Sequence, residues 1–347
     1  MLRSFVLKAS LLVLVVSLCV GVPTVNAEDV GPLSWTSPTT QTLNDVLMVS
    51  ASDGWAVGNY GTMIHWNGTD WSTVTSPTTS TINSMFGLST DDAWIVGSGG
   101  MTMHWNGAYW SNIATPTTST LESVFMVSTS DVWTVGSSGT IMHWDGASWS
   151  IVTSPTTTDL YDVFMVSASD GWAVGGGGMT LHWDGASWSI VTSPTGNILY
   201  DVFVVSASDV WAVGSIGTII RWNGTNWNTV PSPTGNYLLG VSIVSASDGW
   251  AVGGGGTIIR WNGASWSTLP SPTTYDLRAM SMVSASDGWA VGYYGTILQW
   301  TGTVWVPEFP TVILMPLLIS LTLVTVILAK ALSKKHRKPS LPSKTQL

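Results

Sequence analysis

The sequence predicts an all-β protein: a seven-bladed β-propeller of seven 39-residue, four-stranded repeats, followed by one C-terminal transmembrane helix. Three observations carry this. Tryptophans recur at a constant step of 39 residues; the segments between turn residues are short and alternate apolar with polar; and 19 uncharged residues precede a basic tail.

Residues 1–27 read as a secretory signal, with Arg3 and Lys8, an apolar run from Leu11 to Val22, and "VNA" before Glu28. The single cysteine, Cys19, lies inside it, so no disulfide framework is expected.

Residues 28–305 are the propeller ectodomain. The first tryptophan of the unit steps from Trp55 through Trp94, Trp133, Trp172, Trp211 and Trp250 to Trp289. The second runs in the same way from Trp66 to Trp300 and the third from Trp71 to Trp305. Inside one copy, "LYDVFMVS", "GWAVGG", "MTLHWDG" and "SWSIVTSP" are four β-rich runs separated by Asp, Gly, Asn and Pro clusters. A repeated meander of this length specifies a propeller blade. A lone meander cannot bury both faces, so the tryptophans are read as the core between blades, each burying ~150–250 Å². The other reading is a ring of aromatic platforms for sugars. Residues 33–37, "LSWTS", match the end of the fourth strand and are expected to close the last blade. They compete there with "VPEFP" at 306–310, which holds two prolines and is the poorer strand.

Residues 311–329 carry no charge and, as a helix, reach ~29 Å, about one hydrocarbon core. Residues 330–347 form a tail rich in Lys and Arg, which is expected in the cytoplasm by the positive-inside rule. The expected topology is type I, anchored at the cell surface with the propeller outside.

Residues 28–306 hold 19 acidic side chains against Arg221, Arg260 and Arg278. That balance repels phosphate backbones and argues against nucleic-acid partners. His65, His104, His143 and His182 occupy one repeat position, so they point around the ring and do not converge on a metal. They are read as solvated or lying between blades. Asp53, Asp92, Asp131, Asp170, Asp209, Asp248 and Asp287 recur at the first turn and are read as turn residues bonding their own backbone. No cofactor motif is seen, and the chain is read as a non-enzyme. Asp45, Glu122, Asp162 and Asp201, at the start of the inner strand, leave open a carboxylate pair for glycoside hydrolysis. Asn67 and Asn223 head "NGT" sequons on the third-to-fourth-strand turns and are glycosylation candidates.

Differences between the copies point to a binding face. The first turn is nearly constant, whereas the second-to-third turn reads "NY", "SG", "SS", "GG", "SI", "GG", "YY". The linkers between copies read "TTSTIN", "TTSTLE", "TTTDLY", "TGNILY", "TGNYLL" and "TTYDLR". In an up-and-down blade these connections share one face. It carries Tyr60, Tyr161, Tyr200, Tyr237, Tyr275, Arg278, Tyr293 and Tyr294, the candidate contact residues, since tyrosine supplies contact area with little entropy loss. The expected role is an interaction module for an extracellular protein or envelope polymer. A glycan-binding lectin and a glycan-processing enzyme are the alternatives.

Units such as "WTVGSSGTIMHWDGASW" at 133–149 resemble the propellers related to photosystem II assembly factors and to BNR (Asp-box) repeats. The third-to-fourth turn keeps the Asp-Gly and Trp of the Asp box without its hydroxyl residue. Pro307, Glu308 and Phe309, with the apolar run and basic cluster, resemble the archaeal PEF-type sorting signal. That resemblance implies cleavage and re-anchoring by an archaeosortase.

Overall fold

The computed structural model describes residues 37–307. The signal, residues 33–36 of the expected closing strand, Glu308, Phe309, the apolar run and the basic tail lie outside the described residues. Among the described residues no helix is long and apolar enough to cross a membrane.

The described chain folds into seven four-stranded antiparallel sheets, each a meander in chain order. In blade 1 the inner strand is Leu43–Ser50, the second Asp53–Gly58, the third Met63–Trp66 and the outer Trp71–Thr73. Blades 2 to 7 repeat these spans, ending with Leu277–Ser284, Asp287–Gly292, Ile297–Trp300 and Trp305–Pro307. Between second and third strands the chain makes a tight turn whose middle residue is left-handed, for example Tyr60 at φ 55°. The next residue, Gly61, also has positive φ, and a Cβ there would collide with the carbonyl oxygen of Thr78 in the following linker. Glycine is therefore required where linker and turn cross.

The core lies between blades. Each cluster joins strands of one blade to the second strand, and in most junctions also the third, of the blade before it, as Leu43, Ile64, Trp66 and the outer-strand Trp71 join Trp289, Val291 and Ile297. Blade 1 thus packs on blade 7 and closes the ring. A second-strand tryptophan is clamped by two from the next blade: Trp94 lies 5.0 Å from Trp144 and 5.1 Å from Trp149, the latter edge-on at 85°. Edge-on packing sets the positive rim of one ring against the negative face of the other. The tryptophans are core, as read from their spacing. Trp94, Trp172, Trp211, Trp250 and Trp289 are almost wholly buried.

Two expectations are corrected. The outer strand of the last blade is Trp305–Pro307, paired with the third strand through Trp300–Trp305 and Leu298–Pro307, and not residues 33–37. Proline is tolerated at the end of an edge strand. What the N-terminal segment does supply is the crossing: Thr39 lies over Gly295 as Thr78 lies over Gly61. The recurrent Asp residues, in turn, do not bond their own backbone. Ser50 Oγ accepts from Ser52 N in the first turn, while Asp53 reaches across to His65 Nε2 at 2.6 Å. Asp92–His104, Asp131–His143 and Asp170–His182 repeat the pair at 2.7–2.8 Å. In blades 5 and 6 arginine replaces histidine: Arg221 donates to both oxygens of Asp209, and Arg260 to Asp248. Each cation or imidazole lies on the second-strand tryptophan, at 4.7 Å for His104 and 4.6 Å for Arg221. These histidines brace a blade from within.

Candidate binding site at the channel mouth

The inner strands line a central channel of about 470 Å³. The second residue of each inner strand sits at its mouth, on the face of the linkers and second-to-third turns. That ring reads Asn44, Asn83, Glu122, Tyr161, Tyr200, Leu239 and Arg278, around a mouth of about 130 Å³. Seven blades superpose seven side chains on one position, and those side chains span amide, acid, phenol, aliphatic and cation.

Two of them show what the position does by default. Asn44 Nδ2 donates to Ile82 O of the next blade at 2.8 Å, and Asn83 Nδ2 donates to Leu121 O at 2.9 Å. Asn83 also donates to Glu122 at 3.1 Å. Burial raises the Glu122 carboxyl above its usual range, and the Arg278 charge opposes that. The Tyr161 and Tyr200 rings lie 5.6 Å apart.

One layer deeper the ring holds Asp45, Ser84, Ser123, Asp162 and Asp201. These carboxyls line the channel and are half-buried. Each bonds the next blade's backbone: Met85 N to Asp45 at 2.8 Å, Val202 N to Asp162 at 2.9 Å and Val241 N to Asp201 at 2.6 Å. Burial pushes Asp45 up to about 7. Burial also raises Asp162 and Asp201, and Asp201 rises further beside the Asp162 charge. Ser123 Oγ donates to Asp162 at 2.6 Å, so with their backbone bonds these carboxyls tie adjacent blades together.

The eight candidates divide by role. Tyr161, Tyr200 and Arg278 belong to the mouth ring. Tyr275, Tyr293 and Tyr294 gather beside it: Tyr275–Tyr294 centroids are 4.9 Å apart, Tyr293–Tyr294 6.5 Å, and Arg278 Nη1 donates to Tyr293 Oη at 3.4 Å. Tyr237 is a tie between blades, its hydroxyl donating to Asp276, which holds the phenol up at about 12. Asp276 also accepts from Gly255 N at 2.7 Å. Tyr60 stands on the neighbouring blade, at the tip of its turn and exposed.

Sequence reading missed the mouth ring as a unit, although its members end the linker strings it compared ("…IN", "…LE", "…LY", "…LY", "…LL", "…LR"). It also passed over Ile216, an exposed β-branched residue held left-handed at φ 56° at the tip of its turn. Asn67 and Asn223 lie on the opposite face, where Asn67 Oδ1 accepts from Thr69 N and Asp70 N. Asn223 makes the same contacts with Thr225 N and Asn226 N. Among the described residues no group of three or more His, Cys, Asp or Glu forms a metal centre.

No known family matches the chain, and no curated protein does. Solved structures do. A structure of YCF48 bound to D1 peptide is 19% identical with a TM-score of 0.64, covering 76% of this chain and 93% of its own. YCF48 from Cyanidioschyzon merolae is 19% identical, with a TM-score of 0.63 over 77% and 97%. The WD40 propeller domain of Doa1 is 14% identical, with a TM-score of 0.63 over 78% and 94%. At these identities the likeness is one of fold: a seven-bladed propeller like YCF48.

Proposed function

We propose that the protein is a non-catalytic interaction module held at the cell surface, and that its channel mouth selects a protein partner or an envelope polymer. The carrying observation is the mouth ring. Blades that agree elsewhere diverge there, and two asparagines suffice to make the position's structural bond to the next blade. Glu122, Tyr161, Tyr200 and Arg278 replace that asparagine with acid, phenol and cation at one position of the ring. The tyrosine cluster of the last blade extends the contact area on one side. Support from similar folds is that one of them is described as binding a peptide.

Residues 1–27 as signal, 311–329 as anchor and Pro307–Glu308–Phe309 as an archaeal sorting motif complete this reading. The third-to-fourth turns support the Asp-box kinship as turn chemistry. Asp145 Oδ1 accepts from Ala147 N and Ser148 N, which holds its carboxyl below the usual range. Photo-crosslinking from position 161 on intact cells tests the partner reading. Recovery should fall at least ~10-fold, or ~1.4 kcal/mol, with Arg278→Ala and Glu122→Ala together; unchanged recovery sinks the mouth as the site. A glycan array covers the lectin alternative, which the exposed Tyr275 and Tyr294 rings favour. Intact mass of the mature chain tests sorting, since an intact Lys-rich tail means a plain anchor.

A further inference from the structure

We propose that the linker face lies against the bilayer, with Tyr60, Ile216 and Tyr294 in contact with the lipid headgroup zone. This rests on the anchoring part of the reading above, and it identifies what that face meets.

The direction of the last strand carries the argument. Trp305–Pro307 runs antiparallel to Ile297–Trp300, so it heads away from the third-to-fourth turns and toward the linker face. In every earlier blade the chain at this point enters a linker across that face, as at Val74 N, which donates to Met63 O. Only residues 308–310 separate Pro307 from the uncharged run that starts at Thr311. Four Cα–Cα steps reach at most ~14 Å. The headgroup zone itself is ~5–8 Å deep per leaflet. A propeller anchored through residues 311–329 therefore has this face within one or two side-chain lengths of the headgroups.

What the face presents there is independent of the tether. The left-handed tip of the second-to-third turn is glycine in blades 2, 4 and 6 and serine in blade 3, residues that suit it. In blades 7, 1 and 5 it is Tyr294, Tyr60 and Ile216, exposed by 69%, 74% and 71% and all with φ between 55° and 56°. A β-branched residue in that backbone region is strained. Tyr294 also packs on Tyr275, but Tyr60 and Ile216 are 74% and 71% exposed, and tyrosine is enriched at the membrane interface. The tips are exposed where the mouth ring is half-buried, so a partner reaching that ring does so along the membrane surface.

The test uses the full chain with Cys19→Ser, reconstituted into phosphatidylcholine vesicles carrying headgroup nitroxides. Fluorophores go on Tyr60→Cys or Ile216→Cys, and on Ala147→Cys or Ala186→Cys of the opposite face. Quenching several-fold stronger at 60 and 216 supports the proposal. Equal quenching at both faces, or stronger quenching at 147 and 186, overturns it. Protease protection of the Lys-rich tail is read in the same vesicles. A protected tail with unquenched tips sinks this inference alone, whereas an exposed tail removes the anchor and the inference with it. Loss of partner crosslinking in the Arg278→Ala, Glu122→Ala chain is a separate readout that neither outcome moves.

Discussion

The two faces of the ring are made by the same seven repeats and obey different rules. On the face of the first turns every copy keeps its first serine and its last aspartate, and each of these aspartates meets a His, Arg or Gln twelve residues on, as in Asp53–His65 and Asp248–Arg260. On the linker face the tips and mouth residues change from blade to blade. A position that braces its own blade is needed in every copy. A position that faces the mouth is needed by no single blade, and its side chain is free to answer to something outside. The comparison teaches that in a repeat protein, difference between copies at equal burial is the functional signal.

The comparison breaks first at the core. Trp289 is fully buried and packs 4.7 Å from Trp66 and 5.4 Å from Trp71 across the blade 7–blade 1 junction. Trp289→Ala should cost ~3–5 kcal/mol in denaturant unfolding, whereas Tyr294→Ala should stay within ~0.5 kcal/mol. Similar costs for both would erase the distinction between core and face.

The buried carboxyls come second. Asp45 is raised to about 7 by burial, and Asp162 and Asp201 are raised by burial together. A carboxyl raised in the folded state favours folding fully below its unfolded value, and that contribution is lost as pH rises through the folded value. Stability should therefore be higher at pH 5 than at pH 8, with the fall for Asp45 ending as pH passes about 7. From a shift of this size the loss is at most roughly 2–4 kcal/mol, less where channel water screens the group. Thermal melts across that range check it, and Asp45→Asn should flatten the profile.

A smaller effect is expected at the braces. Asp209→Ala removes both bonds to Arg221, but that guanidinium is 36% exposed, so screening limits the cost to about 1 kcal/mol. At the tips the sign reverses. Ile216→Gly relieves a left-handed β-branched residue and should raise stability by ~0.5–1 kcal/mol while weakening bilayer contact. Chemical unfolding reads the first and vesicle quenching the second.

Much of the fold was legible because the repeat is so regular. The 39-residue step, the four runs and the tryptophan spacing fixed blade number, strand order and core. Ring closure was read in part: Thr39 makes the crossing, but the outer strand came from Trp305–Pro307, because a two-proline segment was taken as too poor a strand for an edge that tolerates proline. The histidine–aspartate pairing was missed for another reason. Hairpin register sets His65 opposite Trp55, and Asp53 reaches it along the diagonal, a contact that spacing alone does not show. The tyrosines were placed on the right face, yet Tyr237 proved to be a blade tie through Asp276, since a bond between consecutive linkers leaves no local pattern.

The central claim is that the mouth ring differs between blades for recognition and not for folding. Asn44 and Asn83 show that asparagine at this position bonds the next blade's carbonyl. The decisive chain carries asparagine at all seven mouth positions, with Glu122, Tyr161, Tyr200, Leu239 and Arg278 replaced together. It should melt within ~1 kcal/mol of the parent and lose the partner crosslinked on the cell surface. A chain that melts far earlier, or that keeps its partner, would contradict the account.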